Sequence, residues 1–283
     1  MLRVGSYDVT VVEAERFRLD GGAMFGVVPK PLWSRSHPAD DQNRIQMVTR
    51  CLLVRGEGRV VLVDTGMGAG WSDKERDIYA IENGNRSIVS SLSSLGVSAS
   101  SVTDVILTHL HFDHAGGAVT RVEGRLAPAF PNATYHVQRD QLSWALAPTM
   151  KDRRSYRADD FIPLQKGERL ALADGEAEIL PGIRVVPTQG HTIGHQVVRI
   201  GEGAGSVLYC GDLIPTAAHV PEPWVMGYDL YPVTTMKEKH ALLDRAAGEK
   251  WILVLEHDPS RQAVRVARQA DAVVVDSSVT LSP

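Results

Sequence analysis

The chain has few cysteines, no excess of basic residues and no long apolar run. Two cysteines in 283 residues, Cys51 and Cys210, cannot build a disulfide framework, and we expect two buried thiols. No stretch reaches the ~18 apolar residues of a membrane span, and the N-terminus lacks the apolar core of a signal peptide. A net charge of −4 offers no basic surface for nucleic acid. These absences predict a cytoplasmic protein with no nucleic-acid or membrane partner.

The chain does contain many short β-branched runs, such as RVVLVDTG and SVLYCGD, each bounded by turn-forming residues. Helical spacing appears over residues 75–95, 138–147 and 235–248, whereas residues 23–43 resemble one long ordered loop. Numerous strands among sparse helices favour sheets covered by helices over a regular βαβ alternation. The fold class that we predict is therefore α+β.

Three histidines and an aspartate crowd into the stretch THLHFDH, directly after an apolar run. In an extended backbone His109, His111 and Asp113 project to one side, because side chains alternate, and His114 follows at a bend that opens a helix. Burying these groups together is costly unless a cation satisfies them. Imidazole and carboxylate suit Zn²⁺ and neighbouring divalent metals, so we prefer a metal site here to a solvated histidine-rich loop.

Further candidate ligands stand at the ends of other strand-like runs. They are His191 in GHTIGH, Asp212 in CGDL and His257 in LEHD. Each is a weak signal alone, since a single strand-end His or Asp is usually a surface or hydrogen-bonding residue. One metal with an open position needs about three protein ligands and two metals need more, so the joint pattern predicts that folding brings these residues together.

The order of these motifs is similar to that of the metallo-β-lactamase superfamily, and the resemblance covers nearly the whole chain. The motifs are VLVDTG, HLHFDH, GHTIGH, GDL and EHD. The resemblance implies an αββα sandwich of two mixed β-sheets flanked by helices, in a single domain over residues 1–283. It also implies a dinuclear metal site at one edge of the sheets.

The resemblance assigns a role to each metal-binding residue. The first ion would be held by His109, His111 and His191. The second ion would be held by Asp113, His114 and His257. Asp212 would bridge the two ions. Two divalent cations are therefore implied, with Zn²⁺ the best fit and Mn²⁺, Co²⁺ or Fe²⁺ served by the same ligands.

The implied catalytic residues are Asp113 and Asp212. A hydroxide that bridges the two ions would attack the substrate carbonyl, and Asp113 would pass a proton to the leaving group. Asp64, in VLVDTG, would orient a metal ligand, although a turn-forming role explains it equally well. His195 is expected to be structural or to support a ligand.

Within the superfamily, THLHFDHAGG is especially similar to the N-acyl-homoserine lactone lactonases, the quorum-quenching branch. The best-known class B β-lactamases carry a Cys ligand where this chain has Asp212, and flavodiiron proteins lack a histidine where His111 stands. The implied activity is therefore hydrolysis of a lactone. A thioester hydrolase of the glyoxalase II kind, a phosphotriesterase and a metal-stabilised binding module without catalysis remain alternatives.

Apolar loops supply candidate contacts for a small ester or lactone substrate. These candidates are Phe25, Trp33, Phe112, Trp224, Tyr228 and Tyr231. Core packing or a dimer contact is the competing explanation, so a homodimer is compatible with the sequence. One position departs from the lactonases, which carry Tyr three residues after the bridging Asp, because this chain has Pro215 there. Either Tyr228, Tyr231 or His219 replaces that Tyr, or the substrate differs.

Overall fold

The computed structural model describes residues 1–82 and 86–282. Two seven-stranded β-sheets stack face to face, and helices pack on their outer faces. Each sheet contains both parallel and antiparallel neighbours. The predicted αββα sandwich of α+β class is therefore confirmed.

The first sheet is built from the N-terminal half of the chain. Its strands, in spatial order, are β1 (Leu2–Val4), β2 (Tyr7–Asp20), β3 (Arg44–Gly56), β4 (Arg59–Val63), β5 (Asp104–Ile106), β8 (Thr134–Gln138) and β9 (Leu170–Ala173). A separate hairpin pairs β6 (Val119–Val122) with β7 (Arg125–Pro128). Strands β4, β5, β8 and β9 run parallel, whereas the earlier pairs are antiparallel.

The second sheet is built from the C-terminal half. Its strands are β10 (Ala177–Leu180), β11 (Ile183–Thr188), β12 (His195–Ile200), β13 (Val207–Tyr209), β14 (Ile252–Val254), β15 (Ala263–Gln269) and β16 (Ala272–Val279). Only the pair of β13 and β14 is parallel among the described residues of this sheet.

The helices correct part of the sequence-based prediction. They are α1 (Gly21–Phe25), α2 (Lys30–Trp33), α3 (Asp73–Ile78), α4 (Ile88–Ser94), α5 (Phe112–Ala115), α6 (Arg139–Leu146), α7 (Ile162–Lys166) and α8 (Pro232–Gly248). The helices predicted at 138–147 and 235–248 are confirmed as α6 and α8. The single helix predicted over 75–95 is wrong, because α3 ends and α4 begins within it, and part of that range lies outside the described residues. Likewise, residues 23–43 are not one loop, since the end of α1 and the whole of α2 lie within the segment.

Side-chain alternation along the strands explains why both sheets bury two faces. On β3, Leu52 and Val54 point into the core between the sheets, whereas Cys51 and Leu53 point to the helix-covered face. On β13, Val207 and Tyr209 face the first sheet. Both cysteines are free and buried, as predicted. Among the described residues, none of the helices combines the length and apolarity that a membrane crossing requires.

The parallel strands of each sheet end at the same edge of the sandwich. Strands β4 and β5 in one sheet, and β13 and β14 in the other, all deliver their carboxyl ends there. Chain segments that leave these ends carry the polar residues singled out in the sequence. This edge therefore holds the candidate site.

Candidate metal centre

The segment THLHFDH leaves β5 in an extended conformation and then turns into the one-turn helix α5. His111 stands at the helix N-cap with φ −67° and ψ 154°, so Asp113 and His114 lie in the first helical turn. The expected bend is confirmed, but it comes earlier than predicted, and Asp113 reaches the site from the helix rather than from extended chain. Gly116 and Gly117 follow, and a Cβ on either would collide with the backbone of the loop after β4.

Folding brings all seven predicted ligands together in two adjoining groups. One group contains His109, His111, His191 and Asp212, and the other contains Asp113, His114 and His257. In each group the candidate ligand atoms lie within 4.8 Å of one another. Every member is buried. Residues up to 148 positions apart in sequence (109 to 257) thus meet at one point.

Asp212 lies between the two groups and presents one carboxylate oxygen to each. Its Oδ2 is 3.2 Å from His191 Nε2 and 4.0 Å from His109 Nε2. Its Oδ1 is 3.1 Å from His257 Nε2 and 3.5 Å from His114 Nε2. This division of oxygens is the geometry that a bridging carboxylate requires. Asp113 contacts only the second group, with Oδ2 3.7 Å from His257 Nε2.

The donor set fits divalent cations. Buried polar atoms normally have hydrogen-bond partners, yet His109 Nε2 and His111 Nε2 have none among the described residues. Ring nitrogens also face each other without an obvious donor, at 3.3 Å between His257 Nε2 and His114 Nε2. Imidazole nitrogens and carboxylate oxygens in this number are the ligands that Zn²⁺ and its neighbours accept.

The pKa values of the candidate ligands also indicate that this group of side chains requires positive charge. Burial and the neighbouring imidazoles hold the pKa of His109 and His111 well below the usual value, so both rings are neutral and can ligate. Burial also disfavours a charged His257, but Asp212 and Glu256 outweigh it and raise the pKa of His257 to about 9. Protons or metal ions can supply the charge that these carboxylates require.

Carboxylates outside the two groups hold the ligand rings in place. His191 Nδ1 lies 2.9 Å from Asp229 Oδ1. His114 Nδ1 lies 2.9 Å from both Asp64 Oδ2 and Glu256 Oε2, although one N–H can donate to only one of them. Such outer partners fix ring orientation and raise ligand basicity.

Asp64 serves both of the roles that the sequence left open. It has a left-handed backbone with φ 57°, as in a turn, and its carboxylate accepts hydrogen bonds from the amide and hydroxyl of Thr108. His195 supports Asp212 through the backbone, since its Nε2 accepts the Asp212 N–H at 3.1 Å. His195 is therefore a supporting residue, in line with its expected role.

Sequence reasoning missed Asp229 and Glu256. Asp229 lies in an aromatic loop with no metal-binding pattern, and only its distance to His191 reveals it. Glu256 is adjacent to His257, fully buried, and its pKa is raised to about 8, chiefly by burial. The one feature of the sequence that could have indicated Glu256 is its position directly before the candidate ligand His257.

We expect Asp229→Asn to lower the affinity of the His191 group for metal by about 10–100-fold, because the ring loses its negatively charged partner. Metal competition with a chromophoric chelator measures this change. Asp104→Asn is the matched control, since Asp104 lies 2.9 Å from His136 in a comparable pair away from the centre. Equal losses in both variants would contradict the role assigned to Asp229.

A cavity of about 180 Å³ opens onto the two ligand groups. Besides ligands, its lining consists of Leu19, Met24, Tyr79, Phe112, Lys151, Arg154, Ser155, Met226 and Tyr228. Two of the predicted substrate contacts, Phe112 and Tyr228, are thus at the cavity. Tyr79, Lys151 and Arg154 were not anticipated, because each comes from a segment without a distinctive motif.

The other predicted substrate contacts lie elsewhere. Phe25 and Trp33 are 0% and 1% exposed and stack on each other in the core, 5.3 Å between ring centroids. Trp224 lines a separate cavity beside His37 and Ala217. Tyr231 is exposed at the start of α8. Core packing therefore replaces the expected contact for the first two residues.

Comparison with known proteins agrees with this architecture. The family model described as the Metallo-beta-lactamase superfamily matches residues 45–257. A probable metallo-hydrolase of Mycobacterium tuberculosis is 30% identical over 252 residues, covering 76% of each chain. An N-acyl homoserine lactonase of Bacillus thuringiensis is 29% identical over 220 residues, covering 74% of this chain and 80% of that protein.

A solved structure supports the fold over the full length. The crystal structure of a probable metal-dependent hydrolase from Staphylococcus aureus is 28% identical, with a TM-score of 0.88, and the match covers 99% of this chain and 100% of that chain. Together with the family model, which spans well over half of the residues, this similarity places the ligand groups in a known scaffold. The chain belongs to the metallo-β-lactamase superfamily and is a metal-dependent hydrolase.

Proposed function

We propose that this protein is a dinuclear hydrolase that opens a lactone ring, with an N-acyl-homoserine lactone as the best single substrate and quorum quenching as the consequence. The observation that carries the proposal is the division of the Asp212 oxygens between two ligand groups at the floor of a partly apolar cavity. The lactonase from Bacillus thuringiensis, 29% identical, supports the choice of substrate.

The two ligand groups would hold two divalent ions, Zn²⁺ by preference, which would supply Lewis acidity and a nucleophilic water near neutral pH. The chain itself supplies the remaining steps. Phe112, Met24 and Met226 line the cavity and exclude bulk water from the ester. The acyl C–O bond breaks, the acyl carbon gains OH from water, and the leaving oxygen gains the remaining proton.

Asp113 is placed to move that proton. Its carboxylate lines the cavity and is 7% exposed, so it reaches both the floor and the substrate space. A carboxylate in this position accepts a proton from the attacking water and returns it to the leaving oxygen. Asp212, in contrast, is enclosed by histidines and holds the two groups together.

Tyr228 takes the place of the tyrosine that the lactonases carry three residues after the bridging Asp, a position that is Pro215 in this chain. Its side chain lines the cavity, and no described residue makes a hydrogen bond to its hydroxyl. Burial raises the pKa of Tyr228, with the Asp113 charge adding to the effect, so the phenol stays protonated and can donate to a substrate carbonyl. His219 is excluded from this role, because its Nε2 donates to the Met24 carbonyl at 2.8 Å. Tyr231 does not line the cavity.

We expect Tyr228→Phe to lower kcat/KM by about 10²-fold, as for loss of one donor to a developing oxyanion, with bound metal unchanged. Steady-state kinetics and metal analysis measure the two quantities. Tyr231→Phe removes a hydroxyl three positions away that does not line the cavity, and its kinetics should match the parent protein. An unaltered rate in Tyr228→Phe would assign carbonyl binding to another group, with Tyr79 next to be tested.

The function is tested by a substrate panel with the metal-loaded protein. The panel contains homoserine lactones of several acyl lengths, S-lactoylglutathione as a thioester and paraoxon as a phosphotriester. We expect the highest kcat/KM for a lactone. Turnover of the thioester or phosphotriester alone would overturn the proposed substrate, and no turnover of any member would overturn the proposed activity.

A further inference from the structure

A short basic segment borders the cavity on one side, from Lys151 to Arg157. Lys151 is fully engaged, since its Nζ donates to the carbonyls of residues 227, 228 and 229 at 3.1, 3.2 and 2.5 Å. Arg157 lies over the Trp71 ring, 4.3 Å from its centroid, and 3.8 Å from Asp160. Both cations therefore have structural partners.

Arg154 differs from these two cations. It lines the cavity, and neither a hydrogen bond nor an ion pair joins its guanidinium to any described residue. The acidic residues that line the same cavity, Asp113 and Asp212, belong to the ligand groups. The cavity thus presents a forked cationic donor at its rim, and no anionic side chain of the described residues pairs with it.

We propose that Arg154 binds a carboxylate, or a comparable anionic group, at the end of the substrate remote from the ester that is hydrolysed. This inference rests on the proposed hydrolysis of esters and lactones. Within that class it favours short substrates whose acyl chain ends in an anionic group over neutral acyl-homoserine lactones. A guanidinium binds a carboxylate through two parallel N–H donors, which gives orientation as well as affinity.

The size of the cavity supports the same conclusion. Its volume of 180 Å³ is below the roughly 300–1,000 Å³ of pockets that enclose drug-sized ligands. A short acyl chain that starts at the ligand groups therefore reaches the rim, where Arg154 is exposed to solvent. A long neutral chain would instead leave the cavity without meeting a partner for the guanidinium.

The test compares matched substrates in matched variants. The substrates are p-nitrophenyl pentanoate and the mono-p-nitrophenyl ester of glutaric acid, which differ chiefly in a terminal carboxylate. The variants are Arg154→Ala, Arg154→Lys and the control Arg153→Ala, which removes a neighbouring exposed cation that does not line the cavity. All are assayed as metal-loaded full-length protein.

We expect the parent protein to prefer the glutarate ester, and Arg154→Ala to reduce that preference by about tenfold or more, as for loss of a charge-assisted hydrogen bond. Arg154→Lys should retain part of the preference, because lysine keeps the positive charge but lacks the two parallel N–H donors of a guanidinium. Arg153→Ala should retain all of the preference and leave turnover of the neutral ester unaltered, since Arg153 does not line the cavity. A preference that survives Arg154→Ala would overturn the inference.

Equilibrium binding separates this inference from the proposed function. The corresponding p-nitroanilides of pentanoic and glutaric acid present the same ends without a scissile ester, and calorimetry gives their affinities. Tighter binding of the glutaric compound that is lost only in Arg154→Ala would support the inference even if neither ester were hydrolysed. Hydrolysis of both esters with equal anilide affinities would overturn the inference and leave the hydrolase proposal intact.

Discussion

Asp212→Asn should lower kcat/KM by at least about 10³-fold, because activation of water by the cation pair is lost. Asparagine keeps the shape of the side chain but provides one oxygen in place of two. In the native protein Oδ2 faces His191 and Oδ1 faces His257, at 3.2 and 3.1 Å. In the variant the side-chain oxygen at position 212 can therefore serve only one of the two ligand groups. Bound metal should fall from about two ions per chain to about one.

Metal analysis of the dialysed protein and steady-state kinetics measure the two effects. Asp104→Asn is again a suitable control, since Asp104 is a buried carboxylate 3% exposed that contacts a histidine outside the centre. It should keep both ions and the parent rate. Two ions bound to Asp212→Asn with a near-native rate would contradict the bridging role.

The grouping of the candidate ligands and the fold could be predicted because strand-like runs indicate sheets and the order of the motifs resembles that of a known superfamily. Alternating apolar residues place one face of β3 between the sheets and the other beneath helices. The carboxyl ends of parallel strands lie at the same edge of a sheet. A candidate ligand that comes shortly after such a strand therefore lies at the shared edge. His109, Asp212 and His257 all follow strands in this way. Positions at strand ends, together with the order of the motifs, were sufficient to group these residues.

The substrate contacts could not be predicted with the same success, because aromatic composition does not distinguish a cavity wall from a core. Phe25 stacks on both Trp33 and His219, with centroids 5.3 and 4.7 Å apart. That cluster anchors α1 and α2 against the loop after Asp212. Tyr79 and Arg154, in contrast, reach the cavity from distant segments that carry no motif. Only tertiary packing decides which group meets the substrate.

The error over residues 75–95 has a local cause that the sequence did contain. Ser72 and Glu75 form a capping box at the start of α3, and Ser87 and Ser90 form another at the start of α4. A second cap within an apparently continuous helical pattern indicates a second helix. The periodicity of apolar residues alone did not reveal this break.

Removal of metal should lower the thermal stability substantially. The centre gathers five histidines and two aspartates with almost no solvent contact, and a cation that binds only the folded chain stabilises it by mass action. At a free metal concentration of about 10³ Kd this amounts to about 4 kcal/mol, or roughly 10 °C in Tm for a chain of this size. Calorimetry with and without a chelator measures the shift. Asp212→Asn should show a smaller one.

This chelator-dependent difference in Tm should also grow as pH rises toward 9. Burial lowers the pKa of His257, but Asp212 and Glu256 outweigh it and raise that pKa to about 9. A proton on His257 therefore stabilises the metal-free fold fully below the unfolded pKa of about 6.5, and this stabilisation is lost as pH passes the folded value. Metal ions compete with the same proton, so their affinity rises over this window. A difference in Tm that shrinks between pH 6.5 and pH 9 would contradict the combination of a raised pKa and a ligating role for His257, since a ligating ring must release its proton when the cation binds.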